Sequence, residues 1–438
     1  MPQITIDLNP LYNYLLAADL PLLVLLWRVF LVGGWVIFVP VFLVLIWKFW
    51  IYQIRLHYLS KQTYVLLAVD VPKNNEQGPE ATERLFAHLM GARLPGTWVE
   101  TNLKGYIQAT FSFELLSLEG NIRFLIRCRR NLREMTEAAV YSAYSDAVIT
   151  EVEDYTKDMP TKFPDPEYDA WGVDIHLFNK NCYPIRTYPT FEHPLTKELQ
   201  DPLIAFLETM SKLGPGEQIW IQFIIEPLSN QWKREGEVEV DKLMGRKPKS
   251  KKMMGMGTLK DVFDIPFESL RQISGTRVVE EVSSSEPEFS LLMMSPGERR
   301  VIESIQRKIA KLGYRTKMRF IYLAKKEVMQ KSKAVYGTMG AFNQFGYLDL
   351  NGTKLDRRTI TSVAYFFPEW RNNIRKTKLI RAYKWRSAWM GGRRCILNTE
   401  ELATLWHLPL SKVRAPLIKK TSSKRGEPPM GLPIKETM

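Results

Sequence analysis

Residues 107–129 read IQATFSFELLSLEGNIRFLIRCR, and this stretch decides the fold. IQATFSFELLSL (107–118) and IRFLIRCR (122–129) are strand-like runs of aromatic and aliphatic residues, separated by Glu119-Gly120-Asn121, a hairpin signal. Upstream, YVLLAVDV (64–71) has the composition of a strand. After the turn-rich PKNNEQGP comes EATERLFAHLMG, with apolar residues at 81, 85, 86, 89 and 90, a helical period ended by Gly91. Downstream, NLREMTEAAVYSAY (131–144) predicts a helix and AVITEVEDY (147–155) a strand. The order is β-α-β-β-α-β, a ferredoxin-like arrangement, and the fold class is α+β.

A looser second copy follows. WGVDIHLF and the region of YPIRTYPTF offer strands, DPLIAFLETMSKLG (201–214) a helix, and EQIWIQFIIEPL (217–228) a strand. FSLLMM (289–294) is read as the next strand, SPGERRVIESIQRKIAKLG (295–313) as a helix, and YRTKMRFIYLAKK (314–326) as the last strand. Residues 229–287, rich in charge, Met, Gly and Ser, read as an insertion inside this second unit. The repeat rests on element order alone. A helix over EVMQKSKAVYGTMGAF then leads into polar, basic sequence.

The N-terminal part has another character. From Val29 to Trp47 the chain reads VFLVGGWVIFVPVFLVLIW, without a charge and long enough to cross a hydrocarbon core of about 30 Å. Gly33, Gly34 and Pro40 are tolerated in a membrane span, and Trp47, Trp50 and Tyr52 suit its interface. Lys48, Arg55, His57 and Lys61 follow the span, whereas Asp7 and Asp19 precede it. The positive-inside rule then predicts a single-pass protein of the cell (inner) membrane, N-terminus outside and the bulk of the chain cytoplasmic. Residues 11–27 read as an interfacial or tilted lead-in. The chain thus divides into an anchor over 1–60 (span about 29–51), an α+β domain over 61–165 and a second over 166–326 with the insertion 229–287. A basic, helical C-terminal part over 327–409 and a flexible tail over 410–438 complete it.

Charge and chemistry narrow the function. The net charge is +14, so an anionic partner is expected, nucleic acid or a membrane surface. Three cysteines without CxxC spacing point to a reducing compartment, and five histidines show no metal-binding pairing. No Gly-Lys dipeptide occurs, so the phosphate loop GxxxxGK[ST] is absent, and so is GxSxG. Glu114, Glu119, Glu151, Glu153 and Asp154 read as solvated residues on the outer face of a sheet. No catalytic residue, cofactor or metal is expected, and the chain reads as a non-enzyme.

Between Trp370 and Thr399 there is no acidic residue, and nine cations: Arg371, Arg375, Lys376, Lys378, Arg381, Lys384, Arg386, Arg393 and Arg394. Trp370, Tyr383, Trp385 and Trp389 are interleaved with them. Cations with aromatics suit phosphate contacts plus base stacking, or a Trp/Arg surface on anionic lipid; a solvated helix face with its aromatics turned inward is the plain alternative. Next comes ILNTEELATLWHLP (396–409): Asn398 caps, Glu401 completes a capping box, Leu402, Leu405 and Trp406 form one stripe, and Pro409 stops the helix. Thr399, Glu400, Leu402, Leu405 and Trp406 read as one side of an interface, with another protein or with the chain's own domain.

Several of these stretches together resemble a family. ATFSFELLSLEGNIRFLIRCRRNLREMTEAAVYSAYSDAVITEVEDYT, SPGERRVIESIQRKIAKLGYRTKMRFIYLAKK, GAFNQFGYLDLNGTK, ILNTEELATLWHLP and KRGEPPMGLP are similar to the membrane-anchored N-terminal region of conjugation-type ATPases of small-genome bacteria. These are relatives of type IV secretion and DNA-pumping hexamers. In that family the last segment leads into the nucleotide-binding domain, and this sequence stops where the motor would begin. The resemblance implies a non-catalytic, membrane-anchored component of a type IV secretion or conjugation-like DNA-transfer system. Its implied partners are a separately encoded motor ATPase, the membrane, DNA and further copies of itself. A stand-alone membrane-tethered nucleic-acid-binding protein is the alternative.

Overall fold

The computed structural model describes residues 35–72, 75–191, 200–246, 294–410 and 420–421, with four positions between 24 and 30. Two compact units are present, residues 1–63 with 94–108, and residues 64–93 with 109–438.

The first unit holds helix α1 (Trp35–Ser60). Within it Val39–Ser60, 22 residues of mean hydropathy 1.5 and none buried, is long and apolar enough to cross a membrane. The loop 94–108 packs on α1's C-terminal half. Gly105, at φ +68°, lies so close to the Ile54 backbone that a Cβ there would sit 2.7 Å from its carbonyl oxygen. Tyr106 meets Tyr58 edge-on at 5.8 Å. A short helix, Trp98–Asn102, is closed by a reciprocal Thr97–Glu100 capping box.

The second unit is built on one sheet. Along the chain come β1 (Tyr64–Pro72), α2 (Pro79–Leu89), β2 (Phe111–Leu118), β3 (Asn121–Arg129), α3 (Arg133–Ala143) and β4 (Val148–Glu151). Then follow β5 (Tyr168–Leu177), α4 (Ile204–Ser211), β6 (Glu217–Pro227), α5 (Lys233–Leu243), α6 (Pro296–Ala310) and β7 (Gly313–Lys325). Last come α7 (Gly337–Asn343), β8 (Thr353–Leu355), α8 (Pro368–Lys384), β9 (Cys395–Asn398), α9 (Thr399–Leu405) and β10 (Lys420–Thr421). The strand order is β10-β1-β3-β2-β6-β7-β5-β8, with β4 also on β1 and β9 also on β7. Every pairing is antiparallel except β10 with β1.

The seam between β2 and β6, from Phe111↔Ile225 to Leu118↔Gln218, makes one body of the two expected α+β domains. Outward from it each half repeats the same connections: second strand, third strand, first strand, fourth strand. α2 and α4 lie between first and second strands of their halves, with the short Trp98–Asn102 helix also before β2, and α3 and α7 lie between third and fourth. This corrects the second half. The 314–326 strand is not terminal but lies between β6 and β5, and β8 takes the outer position. The expected strand at 289–294 lies outside the described residues apart from Met294. The YPTF stretch is a 3-10 turn, Tyr188–Phe191, rather than a strand. Within the expected insertion α5 occupies 233–243, and 247–287 lies outside the described residues.

Alternation explains the layering. β2 is buried on both faces: Phe111, Phe113 and Leu115 belong to one apolar core, and Leu116 to another. A one-residue slip would exchange the two sets. On the larger core lie α2, α3, α4, α7 and α9. The opposite face is covered by α8 through Leu379, Ile380 and Tyr383, on Leu66, Leu125, Trp220 and Ile321. α8 comes so near β5 that a Cβ on Gly172 would sit 2.6 Å from Leu379 and 2.8 Å from the Phe320 carbonyl oxygen, and the backbone contact favours glycine there. A third cluster joins α5 and α6 through Val240, Ile302 and Ile305 to Tyr183 and Leu350. The expected basic helical region therefore belongs to the same body as the sheet. Of the expected flexible tail, Lys420 and Thr421 pair with Val71 and Pro72, and Leu410 packs on the core.

Candidate functional site

Under α8 runs a row of polar side chains where apolar ones would be expected. Glu114, Gln222, Arg319 and Asp174 are register partners across β2, β6, β7 and β5, and all are fully buried. Each lies on the strand face that α8 covers, and their hydrogen bonds form a chain. Gln222 Nε2 donates to Glu114 Oε1 at 3.1 Å, Arg319 Nη1 to Gln222 Oε1 at 3.0 Å, and Arg319 Nε to Asp174 Oδ1 at 2.8 Å. Arg319's other donors go to the carbonyls of Ala382 (2.9 Å), Ser387 (3.3 Å) and Met390 (3.0 Å), so all five are used. Buried charge is tolerated on these terms only.

The segment after α8 closes the row. Arg386, itself buried, reaches Glu114 with Nε at 3.0 Å and Asp154 with Nη2 at 3.0 Å. Tyr155 donates to Glu114 Oε2 at 2.9 Å and shares a 2.6 Å hydrogen bond with Tyr383. At the other end Gly392 N donates to Asp174 Oδ2 at 2.6 Å, and Lys317 Nζ pairs with the same oxygen at 3.1 Å. Gly391 has φ +93°, and a Cβ on it would meet Asp174 Oδ2 at 2.1 Å. Burial raises the Glu114 carboxyl, but the Arg386 charge and the bonds from Arg386, Ser112 and Gln222 outweigh it, and the group lies below its ordinary value. For Asp154 burial is likewise outweighed, by the hydrogen bond and charge of Arg386. Burial opposes the Arg386 charge as well, yet Glu114 and Asp154 hold the guanidinium well above its ordinary range.

This corrects two expectations. Glu114 is fully buried and Asp154, half-buried, is held by Arg386, whereas Glu119, Glu151 and Glu153 keep access to water as expected. The nine cations are not one basic surface, because neutral and acidic groups of the same domain take most of them. Lys376 pairs with Asp169, Lys384 donates to the Met159 carbonyl and to Thr161, and Arg394 pairs with Glu226 at 2.9 Å. Arg375 donates to the Ile360 carbonyl at 2.7 Å and Arg371 to that of Tyr365 at 2.9 Å. Lys378 and Arg393 stay exposed and Arg381 half-buried.

The aromatics divide too. Tyr383 is core, whereas Trp370, Trp385 and Trp389 are exposed. With Tyr365, Phe366 and Phe367 they make six aromatic side chains that are 62–83% exposed. Trp370, Ile374, Lys378, Arg381 and Trp385 follow at steps of 4, 4, 3 and 4, one outward stripe of α8. Sequence reading missed the Tyr365-Phe366-Phe367 turn, although three consecutive aromatics before a helix-opening Pro368 were there to be seen.

The expected docking helix is placed inside. The Asn398–Glu401 capping box forms at 2.8 and 2.9 Å. Yet Thr399, Glu400, Leu402, Leu405 and Trp406 are all buried, so they offer no free face to another protein. Trp406 stands edge-on to Phe113 at 4.8 Å and to Phe124 at 5.8 Å. Thr399 donates to Glu83 at 3.1 Å, and Glu400 pairs with Lys311 at 2.7 Å. Glu401 meets the equally buried Lys308 at 3.0 Å; burial raises its carboxyl above the ordinary value despite that partner. The whole of α9 is buried, polar residues included, so the expected apolar stripe is not a separate face, and the helix packs on the chain's own sheet and α2.

Among the described residues no group of His, Cys, Asp and Glu could hold a metal ion. The buried row, sealed from solvent, can lock the 382–392 segment to the sheet; the surface above it presents aromatics and a few cations. The model of a family described as a domain of unknown function (DUF8128) matches residues 58–421, most of the chain, and the chain belongs to that family. Comparison with curated proteins finds no match.

Proposed function

We propose that this DUF8128 protein is a membrane-anchored, non-catalytic component of a type IV secretion or conjugation-like DNA-transfer apparatus, holding a separately encoded motor ATPase at the membrane. The observation that carries the reading is α1, an unburied apolar helix of spanning length just before a large folded domain. In this proposal α1 crosses the membrane once, with the N-terminus outside and the sheet domain in the cytoplasm; Lys48, Arg55 and Lys61 support that direction. We read each half of the sheet as a ferredoxin-like unit, supported by the repeated strand order and by helices on one face. The link to DNA transfer rests on the sequence resemblance. Because the α9 stripe is spent inside the domain, the motor is taken to dock on another surface. The rival, a stand-alone nucleic-acid-binding protein, is weakened by the internal use of Arg386, Lys376, Lys384 and Arg394, since polyanion affinity scales with the cations left free.

The test is affinity purification of the full chain from its native membrane after cross-linking. Recovery of a phosphate-loop ATPase, with no ATP hydrolysis by the purified chain alone, is expected. A chain recovered without any ATPase, or one that hydrolyses ATP itself, overturns the proposal.

A further inference from the structure

We propose that the outward face of α8, with the Tyr365-Phe366-Phe367 turn at its N-terminus, is a second membrane contact that lies on the interfacial zone of an anionic phospholipid bilayer. The inference rests on the reading of α1 as a span and adds a site to it.

Three observations carry it. First, six aromatic side chains that would be buried if only folding mattered are 62–83% exposed along one helix and its two flanks. Several exposed aromatic side chains gathered on one helix and its flanks mark an interaction site. Second, the turn is built and not loose. Phe366 and Phe367 sit at φ 49° and 51°, a region that bulky residues avoid. The conformation is held by Asn372, which accepts from Val363 N at 2.8 Å and donates to its carbonyl, and by Arg371 on the Tyr365 carbonyl. Packing in the domain does not require this backbone, since both rings point to solvent; an outlier held by specific side chains points to use.

Third, the chemistry selects the partner. The stripe pairs Trp370 and Trp385 with Lys378 and Arg381; Glu369 in the first turn is the one acidic residue of α8, and none follows up to Thr399. Trp and Phe beside Lys and Arg are the composition of a helix lying in a headgroup layer, where rings enter the acyl boundary and cations meet phosphate. A nucleic acid would demand more free cations than the face retains, for the reason given above. α1 and β1 are separated by residues 61–63 only, so a chain anchored by α1 keeps this domain at high effective concentration near a bilayer.

The test uses the full chain in lipid nanodiscs, with the photo-cross-linker p-benzoylphenylalanine in place of Phe366, or in place of the exposed Tyr336 as a control. On phosphatidylglycerol-containing discs, lipid adducts severalfold more abundant at 366 than at 336 are expected. Replacing phosphatidylglycerol with phosphatidylcholine, or introducing Lys378→Ala with Arg381→Ala, should lower the yield at 366 severalfold. Equal yields at the two positions, adducts to added single-stranded DNA, or adducts to a second copy of the chain would overturn the proposal. Loss of the chain from the discs altogether counts instead against the α1 anchor, so the two failures are told apart.

Discussion

Arg386 is where a cation that looks like surface becomes a structural part. It bonds Glu114 and Asp154 from a left-handed backbone, φ 47°, and ties the chain after α8 to β2. Removing one partner of such a pair strands the other, which costs about 3–5 kcal/mol. Arg386→Met should therefore lower the thermal unfolding midpoint of the full chain in detergent by several degrees, and adding Glu114→Leu should restore much of the loss. The pH dependence follows from the same contacts. Glu114 and Asp154 lie below ordinary values of 4.5 and 3.8, so their stabilisation is complete above those values and lost as pH falls through the lower folded ones. Unfolding midpoints measured from neutral pH downward should fall below about pH 4, and less steeply for Arg386→Met, where the pairing is already gone. A solitary Glu in FSFELLSL, Gln in IWIQFIIE, Asp in WGVDIHL and Arg in KMRFIYL were all visible in the sequence. What one-dimensional reading lacks is register: only pairing across four strands turns four isolated oddities into one row.

Among the elements, α9 and α8 exchange the roles their sequences suggest. α9 has the stripe of a docking helix and is spent inside, while α8, which looks uniformly basic, has the exposed aromatic face. Trp406→Ala empties a site against Phe113 and Phe124 and should cost about 3–5 kcal/mol in unfolding free energy. Trp370→Ala should change it by no more than about 0.5 kcal/mol. A Trp406→Ala protein of unchanged stability that had lost only a binding partner would restore the docking reading. The capping box, the hairpin at 119–121 and the helices of the first half were legible because they depend on neighbours a few residues away. The second half was harder. β6 and β7 pair across the long insertion, and β8 has only three residues, too few to show alternation. Periodicity names the apolar face of a helix and not the surface that covers it.

For the whole molecule, the β2–β6 seam makes residues 61–165 and 166–326 parts of one sheet rather than independent domains. A fragment of residues 61–165 would leave the whole edge of β2 unpaired, and such edges aggregate. That fragment should fail to give a soluble monomer in size-exclusion chromatography, whereas a well-behaved monomer would argue that the seam is dispensable. Of the nine cations after Trp370, Lys376, Arg386 and Arg394 pair with carboxylates of the same domain, and the outward face of α8 keeps Lys378 and Arg381 among its aromatics. The central claim is that α1 anchors the chain once, with the sheet domain on the cytoplasmic side. It is tested most directly by alkaline carbonate extraction followed by protease treatment of intact spheroplasts carrying an N-terminal and a C-terminal tag. The account predicts that the chain stays with the membrane, the N-terminal tag is removed and the sheet domain with its C-terminal tag is protected; a chain released by carbonate, or a sheet domain digested from outside, would contradict it.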